Sequence, residues 1–423
     1  MKQPGDKQRV PLGNEIIAGV IGYFTTVYIV IVNGSILSDA GISLEAGMIA
    51  TIMATFVGTM MMGLYGKLPL ILIPGMGINA LFAYSIVGNN GFTFQEGLAV
   101  VLVAGLIFIL TAFSKLGVIL KDSIPESLKH GITVGLGFFL ILIGLENSGL
   151  ITSGESTIIE IGDFTSTTVI VSLLTLFFAI YVFVKNVPAN FLITMVVGTL
   201  LAMLFGLPKA EMTTVSINFS ELLFMPSFSA AGEFSFWVAV FPLALILIFE
   251  NMGILTGQLQ MLDRDKSYNK AYRITAISAT ASAFFGTSPT VSGAENAAVI
   301  ASGGKTGRAA ITAGLLFLAT IVIIPWISIV PNSAISPILI IVGFLMAQNI
   351  RHLPLSNLSE SIPALLIVVM IPFTYSIGDG MAFGFIAYPL VKAALGKQRD
   401  LSKPLIAISV LFLLSFILKI AGL

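Results

Sequence analysis

The chain has no cysteine, two histidines and very little charge. Without cysteine it can form no disulfide, carry no thiolate nucleophile and build no cysteine-ligated metal site, and two histidines make a histidine-rich metal centre remote. No metal and no cofactor is therefore expected. Charged residues are 10% of the 423 positions and cancel to a formal net charge of zero. No basic face is left to neutralise phosphates, so a nucleic-acid partner is set aside.

What fills the chain instead is apolar. Hydrophobic residues are 56% of the total and the mean hydropathy is +1.00, a balance that one soluble core cannot hide. Apolar runs of about 20 residues, the length that crosses a hydrocarbon layer of about 30 Å, recur from end to end with short loops between them. They are read at 16–37, 47–66, 69–87, 98–119, 125–145, 165–184 and 188–206, then, after a polar connection of about 210–232, at 235–257, 271–286, 287–303, 309–330, 333–350, 361–376 and 379–395. A last apolar stretch, 404–421, is read as an extra span or an interfacial helix. The opening MKQPGDKQRV is polar and basic and precedes a long apolar stretch without a small-residue cleavage pattern, so the first span is expected to remain in the protein.

Lys and Arg in short loops should fall on the cytoplasmic side. With the N-terminus inside, nearly all of them do, Lys209 and Lys419 being the two exceptions. Seven spans per half make the halves antiparallel, which is the arrangement of an inverted repeat. A faint repeat is present: Glu15 precedes Asn33 by the same spacing as Glu233 precedes Asn251, and Pro74 and Pro289 follow at nearly matching distances.

The third and tenth spans are each interrupted by Pro and Gly, in LPLILIPGMGINALFAYSIV from Leu68 and FFGTSPTVSGAENAAVIASGGKTG from Phe284. An extended piece, a proline, small residues and then a helix describe a discontinuous membrane helix whose N-terminus opens inside the bilayer. The competing account, that Gly75, Gly77, Ser292 and Gly293 merely allow close packing, is weakened by the paired placement. Two acids sit beside these breaks. Glu250 lies deep in the eighth span, Glu295 just inside the tenth, and neither has a Lys or Arg in its own span. A carboxyl in lipid is costly and marks an ion or substrate path; it must be protonated, bound to a cation or paired with ligand donors. Asn33, Asn79, Asn251 and Asn296 are weaker signals, because helix-to-helix bonding explains a membrane Asn as well as ligand binding does. Phe82, Phe249, Phe284 and Phe285 are placed near the proposed centre as candidates to stack on a planar ligand. Asp379, in SIGDGMAF, reads as a turn and N-cap. Gly-Gly-Lys-Thr-Gly at 303–307 lacks the spacing of a phosphate loop and reads as a helix end.

At these residues the sequence resembles the nucleobase-ascorbate transporter superfamily, and within it the azaguanine-like group of purine (adenine, guanine, hypoxanthine) permeases. The likeness is carried by TTVYIVIVNGSILSDAG, LILIPGMGINALFAYS, IPESLKHGITVGLGFFLILIGLENSG, GGKTGRAAITAGLLFL and IPFTYSIGDGMAFGFIAY. It implies an all-α polytopic fold of fourteen transmembrane segments as a seven-plus-seven inverted repeat. The core domain would comprise residues 1–122 and 233–330, the gate domain 123–210 and 331–423. The core would slide past the gate in the manner of an elevator. The resemblance places the substrate-binding and coupling acids on Glu250 and Glu295, with Asn79, Ala80, Ala294, Phe82 and Asn251 completing the pocket. The purine group usually carries Asp-Thr in the eighth span, whereas this chain has Glu250-Asn251-Met252-Gly253, closer to the uracil and xanthine branches, so the base itself stays open. The expected partners are a nucleobase, H⁺ or Na⁺ as coupling ion and the lipid of the cell membrane; dimerisation through the gate domain is left open. An anion carrier of the same general fold is the nearest rival, and two unpaired acids argue against it. No Ser-His, paired-Asp or zinc constellation lies within the spans, so an enzyme is not expected.

Overall fold

The computed structural model describes residues 11–154, 157–207 and 223–420. Lys209 and most of the polar connection expected at 210–232 lie outside the described residues, and so do the side chains of Lys121 and Lys419. Helix dominates because lipid offers no water to backbone N–H and C=O groups, so a spanning segment must satisfy them within itself. Among the described residues, eight helical segments are long and apolar enough to cross a membrane, and the protein is an all-α, multi-pass membrane protein.

In chain order the elements are α1 (Leu12–Thr26), α2 (Tyr28–Asp39), α3 (Leu44–Met61), β1 (Leu72–Pro74), α4 (Met76–Ala80), α5 (Phe94–Phe113), α6 (Leu116–Ser123) and α7 (Glu126–Asn147). A small hairpin, β2 (Ile151–Thr152) with β3 (Glu160–Ile161), precedes α8 (Thr167–Val184) and α9 (Asn190–Leu204). Then come α10 (Phe234–Met261), α11 (Tyr268–Phe285), β4 (Thr290–Ser292), α12 (Asn296–Ala301), α13 (Gly307–Ala319) and α14 (Ile324–Ile327). The chain finishes with α15 (Asn332–Ala347), α16 (Leu358–Thr374), α17 (Ile377–Ala394) and α18 (Lys403–Ile420). α18, the last apolar stretch of the sequence, packs on α17.

Two groups of helices share most of their contacts internally. In one, α1 lies on α13, α3 on α2, α11 and α13, and α5 on α10 and α11. In the other, α15 lies on α7, α8 and α9, and α16 lies between α7 and α17. Small residues set the closest approaches, as expected where apolar lipid gives helices no hydrophobic reason to associate. A Cβ added at Gly137 of α7 would stand 2.5 Å from the carbonyl oxygen of Gly343 in α15, and the reverse holds for Gly343.

Local capping is explicit at several ends. Thr93 and Glu96 form a capping box on α5, with the Glu96 N–H donating to Thr93 Oγ1 at 3.3 Å and the Thr93 N–H to Glu96 Oε2 at 2.8 Å. Asp379 does not act as the N-cap that its sequence suggests. Ser376 takes that place, its hydroxyl accepting the Asp379 N–H at 3.1 Å, and Asp379 sits in the first turn of α17. The Gly-Gly-Lys-Thr-Gly segment leads into α13, and its amides already have an acceptor. Glu15, fully buried, accepts the N–H groups of Lys305 (3.1 Å) and Thr306 (3.0 Å to Oε1, 3.2 Å to Oε2). α1 and the start of α13 are thus joined by one carboxyl.

Replacing Glu15 with Ala takes the acceptor from two part-buried N–H groups, each costing up to about 1–3 kcal/mol. We expect Glu15→Ala to lower the melting temperature in detergent by several degrees. Glu233→Ala, at the matching but exposed position before α10, should leave it unchanged; equal shifts for both would refute this role for Glu15.

Candidate functional site

Two short strands cross deep in the first group. β1 and β4 pair antiparallel, with Leu72 facing Ser292, Ile73 facing Val291 and Pro74 facing Thr290, and all six residues are buried. Each strand leads toward a short helix, β1 into α4 and β4 through Gly293-Ala294-Glu295 into α12. The chain is extended here because Pro74 and Pro289 cannot donate to a helix ladder and push the preceding residue out of helical geometry. Beyond α4 the third span continues as a π-helical segment, Leu81–Asn89, a form often found near functional sites.

A strand of three residues cannot satisfy its own backbone, and side chains of neighbouring helices take up the remaining groups. Asn296 does so twice for Ile71, its Oδ1 accepting the N–H at 2.8 Å and its Nδ2 donating to the carbonyl at 3.0 Å. The Leu72 N–H donates to Thr59 Oγ1 at 3.0 Å, and the Thr290 N–H to Ser282 Oγ at 3.1 Å. From α10, Gln258 Nε2 donates to the Gly293 carbonyl at 2.7 Å and its Oε1 accepts from Ser292 Oγ at 2.6 Å, while Asn251 Oδ1 accepts the Ser292 N–H at 3.4 Å. Asn251 and Gln258 therefore fix α10 against β4.

That docking sets where the two acids stand. Glu250 follows the helix one step round from Asn251, half-buried, with Oε2 buried and without a hydrogen-bond partner. Beside it the helix is open: a Cβ added at Gly253 or Gly257 would meet nothing within 4 Å. Glu295 is the residue before α12, also half-buried, and its Oε2 lies close over Gly293, where an added Cβ would stand 2.9 Å away. Its Oε1 accepts the Tyr28 hydroxyl at 2.6 Å. Among the described residues neither acid forms a salt bridge. Lys129 of α7 reaches over the ring of Phe249, the residue before Glu250, at 5.4 Å from its centroid.

The other expected site residues divide. Ala294 is exposed between the strand and Glu295. Asn79 is fully buried, accepting the Ser288 hydroxyl on Oδ1, and its Nδ2 has no partner. Ala80 is buried behind it. Asn251 is engaged in structure, its Nδ2 donating to the Leu247 carbonyl at 2.8 Å. Phe82 is a packing residue in this conformation: fully buried, edge-on to Phe94 at 5.4 Å, with Gly97 of α5 beneath it. Phe284 and Phe285 end α11, where the Phe284 carbonyl accepts the Phe224 N–H, and Phe224 packs on Phe94 at the start of α5. The α12 amides are also less open than a broken helix suggests, since the N–H groups of Asn296 and Ala297 close turns onto Gly293 and Ala294. Tyr28 and Gln258, which the structure brings against Glu295 and β4, carried no signal in the sequence. A separate cavity of about 140 Å³ lies between α10, the π-helical segment and α17, lined in part by Ser85, Asn90, Ser235 and Asp379.

Residues 13–381 match a family described as Permease family (Xan_ur_permease). The chain is 42% identical over 381 residues to "Nucleobase transporter PlAzg2" of Paenibacillus larvae subsp. larvae, covering 89% of this chain and 76% of that protein. It is 35% identical to "Guanine/hypoxanthine permease PbuO" of Bacillus subtilis, covering 96% and 97%, and 34% identical to "Adenine permease AdeP" of Escherichia coli, covering 95% and 92%. Among solved structures it is similar to the transmembrane domain of the cyanobacterial bicarbonate transporter BicA, with TM-score 0.68, 18% identity and coverage of 87% and 97%. The murine anion transporter Slc26a9 gives TM-score 0.68 at 14% identity, covering 93% and 70%. At these identities the structural likeness is one of fold alone.

Asn296→Ala removes both bonds to Ile71 and strands its N–H, at about 1–3 kcal/mol, while the Ile71 carbonyl keeps the Gly293 N–H at 3.3 Å. We expect a lower melting temperature than wild type in the absence of ligand. A thermal profile unchanged from wild type would show that the crossing does not need this side chain.

Proposed function

The chain belongs to the Permease family, within its azaguanine-like purine permease group, and from that membership we propose that it imports purine nucleobases (adenine, guanine or hypoxanthine) by proton symport. It is a transporter and not an enzyme. The observation that carries the reading is the pair of acids, Glu250 and Glu295, flanking the β1–β4 crossing with no salt bridge to either. Purines present ring and exocyclic N–H groups on one edge, and a carboxylate accepts such donors through two oxygens. In the proposed pocket Glu295 hydrogen-bonds the base, and Glu250 supports it or carries the coupling proton. Ala294, small and exposed beside Glu295, leaves the base room to approach, and the unpartnered Asn79 amide is a spare donor.

The mechanism proposed is an elevator, with fourteen spans arranged as two inverted repeats. The group holding α1–α6 and α10–α14 is the core, and the group holding α7–α9 and α15–α18 is the gate. The register of the strand pair supports the repeat: Ile73 and Val291, which face each other at its centre, are separated by the same number of positions as Glu15 and Glu233 and as Asn33 and Asn251. Such a relation is what a two-fold axis through the crossing requires. The distribution of Lys and Arg supports a cytoplasmic N-terminus in the cell membrane.

The open helix face at Gly253 favours one second reading, a uracil or xanthine carrier of the same superfamily, since Glu250-x-x-Gly253 gives a longer acid and a wider space. An anion carrier has only the shared fold in its favour.

Uptake and binding of adenine, guanine, hypoxanthine, xanthine and uracil decide between these. We expect a purine to raise the melting temperature of the purified protein, because a ligand stabilises the state it binds. Losing hydrogen bonds to a charged group, Glu295→Ala should weaken binding about 10- to 100-fold. Collapsing the proton gradient should abolish accumulation, and removing Na⁺ should not. Unchanged affinity in Glu295→Ala would reject the site, and failure of all five bases to bind would reject the function.

A further inference from the structure

We propose that Tyr28 is a positioning residue that fixes the Glu295 carboxyl for the base and links the site to the sliding surface of α9. The inference rests on the proposed site at Glu295. Tyr28 opens α2, at the step in the first span after Val27 closes α1. It is 1% exposed, and its hydroxyl donates to Glu295 Oε1 at 2.6 Å. A buried phenol needs a partner for its O–H, and this one spends it on an acid that otherwise lacks a salt-bridge partner. The bond occupies Oε1 and leaves Oε2, over Gly293, as the oxygen that meets the base. A carboxyl held in one rotamer loses less freedom when the base arrives than one that swings freely.

The other face of the same ring leaves the first helix group. The Tyr28 ring lies tilted against Phe191, with centroids 4.7 Å apart, and Phe191 stands in the first turn of α9 in the second group. One side chain thus touches both the acid and the neighbour past which the core would slide. The hydroxyl bond holds Glu295 whether or not Phe191 is there, and the ring contact couples the Tyr28–Glu295 pair to movement of α9 past α2.

The experiment uses the full chain, purified and reconstituted, with whichever of adenine, guanine or hypoxanthine the wild type binds best. Tyr28→Phe keeps the ring on Phe191 and removes the donor; Phe191→Ala does the reverse. Tyr28→Phe should raise both Kd and KM about tenfold, as loss of a hydrogen bond to a charged group does, with the maximal rate within about twofold. Phe191→Ala should leave Kd within about twofold and lower the maximal rate several-fold. In a Glu295→Gln background, adding Tyr28→Phe should change Kd no further, because residues acting through one group are not additive. Wild-type Kd in Tyr28→Phe, with binding lost in Glu295→Gln, overturns the inference and leaves the site intact. Equal losses from Tyr28→Phe in both backgrounds also overturn it. Wild-type Kd in Glu295→Gln instead rejects the site itself. Should Tyr28→Phe not purify as a folded protein, Phe191→Ala decides: an unchanged rate overturns the link to α9, and a reduced rate at constant Kd supports it.

Discussion

Extended backbone inside a membrane protein is tolerated when every N–H and C=O finds a partner within the protein, and the β1–β4 crossing is held by that constraint. Leaving one amide unbonded costs roughly 2–7 kcal/mol in an apolar medium, so a six-residue crossing is stable because its neighbours supply the acceptors and donors. Asn296, Thr59, Ser282, Asn251 and Gln258 do so from four different segments. These side chains satisfy the strands and, in the same contacts, fix the positions of α3, α10, α11 and α12 around them. The acids inherit their placement from this network: Glu250 is next to Asn251 on α10, and Glu295 is next to Asn296 on α12.

The consequence for function is a division of labour between polar residues that are spent and polar residues that are not. Asn251, Gln258, Ser292 and Asn296 are engaged with backbone and one another. Glu250 Oε2 and the Asn79 amide are buried without partners, a state natural proteins keep rare. Unspent hydrogen-bonding capacity beside an open helix face is what a site for a small polar ligand requires. The residues of this candidate site lie in the first helix group, and the second touches them at few points, among them Phe191 against Tyr28 and Lys129 over Phe249.

Much of this was legible in the sequence, and the limits have physical causes. Pro and Gly interrupting two apolar runs revealed the extended pieces, because backbone chemistry is local. Glu250 and Glu295 were legible because a charge in lipid is costly wherever it sits. Neither signal says what a side chain touches across the fold. Tyr28 reads as one more aromatic in an apolar span, yet its hydroxyl meets an acid 267 positions away. Phe82 lies beside the third-span break in sequence but turns its ring to α5, since a π-helical turn alters which face each residue presents. Asp379 looked like a cap because Asp commonly is one, and Ser376 three residues earlier holds that role.

The central claim is that one base sits between Glu250 and Glu295 beside the strand crossing. A density map of the purified protein with a bound purine tests it most directly. The account predicts planar density within hydrogen-bonding distance of the Glu295 carboxyl, bordered by Ala294 and the α10 face at Gly253. Density elsewhere, for example in the cavity by Ser85 and Asp379, or the two acids turned toward lipid, would contradict it.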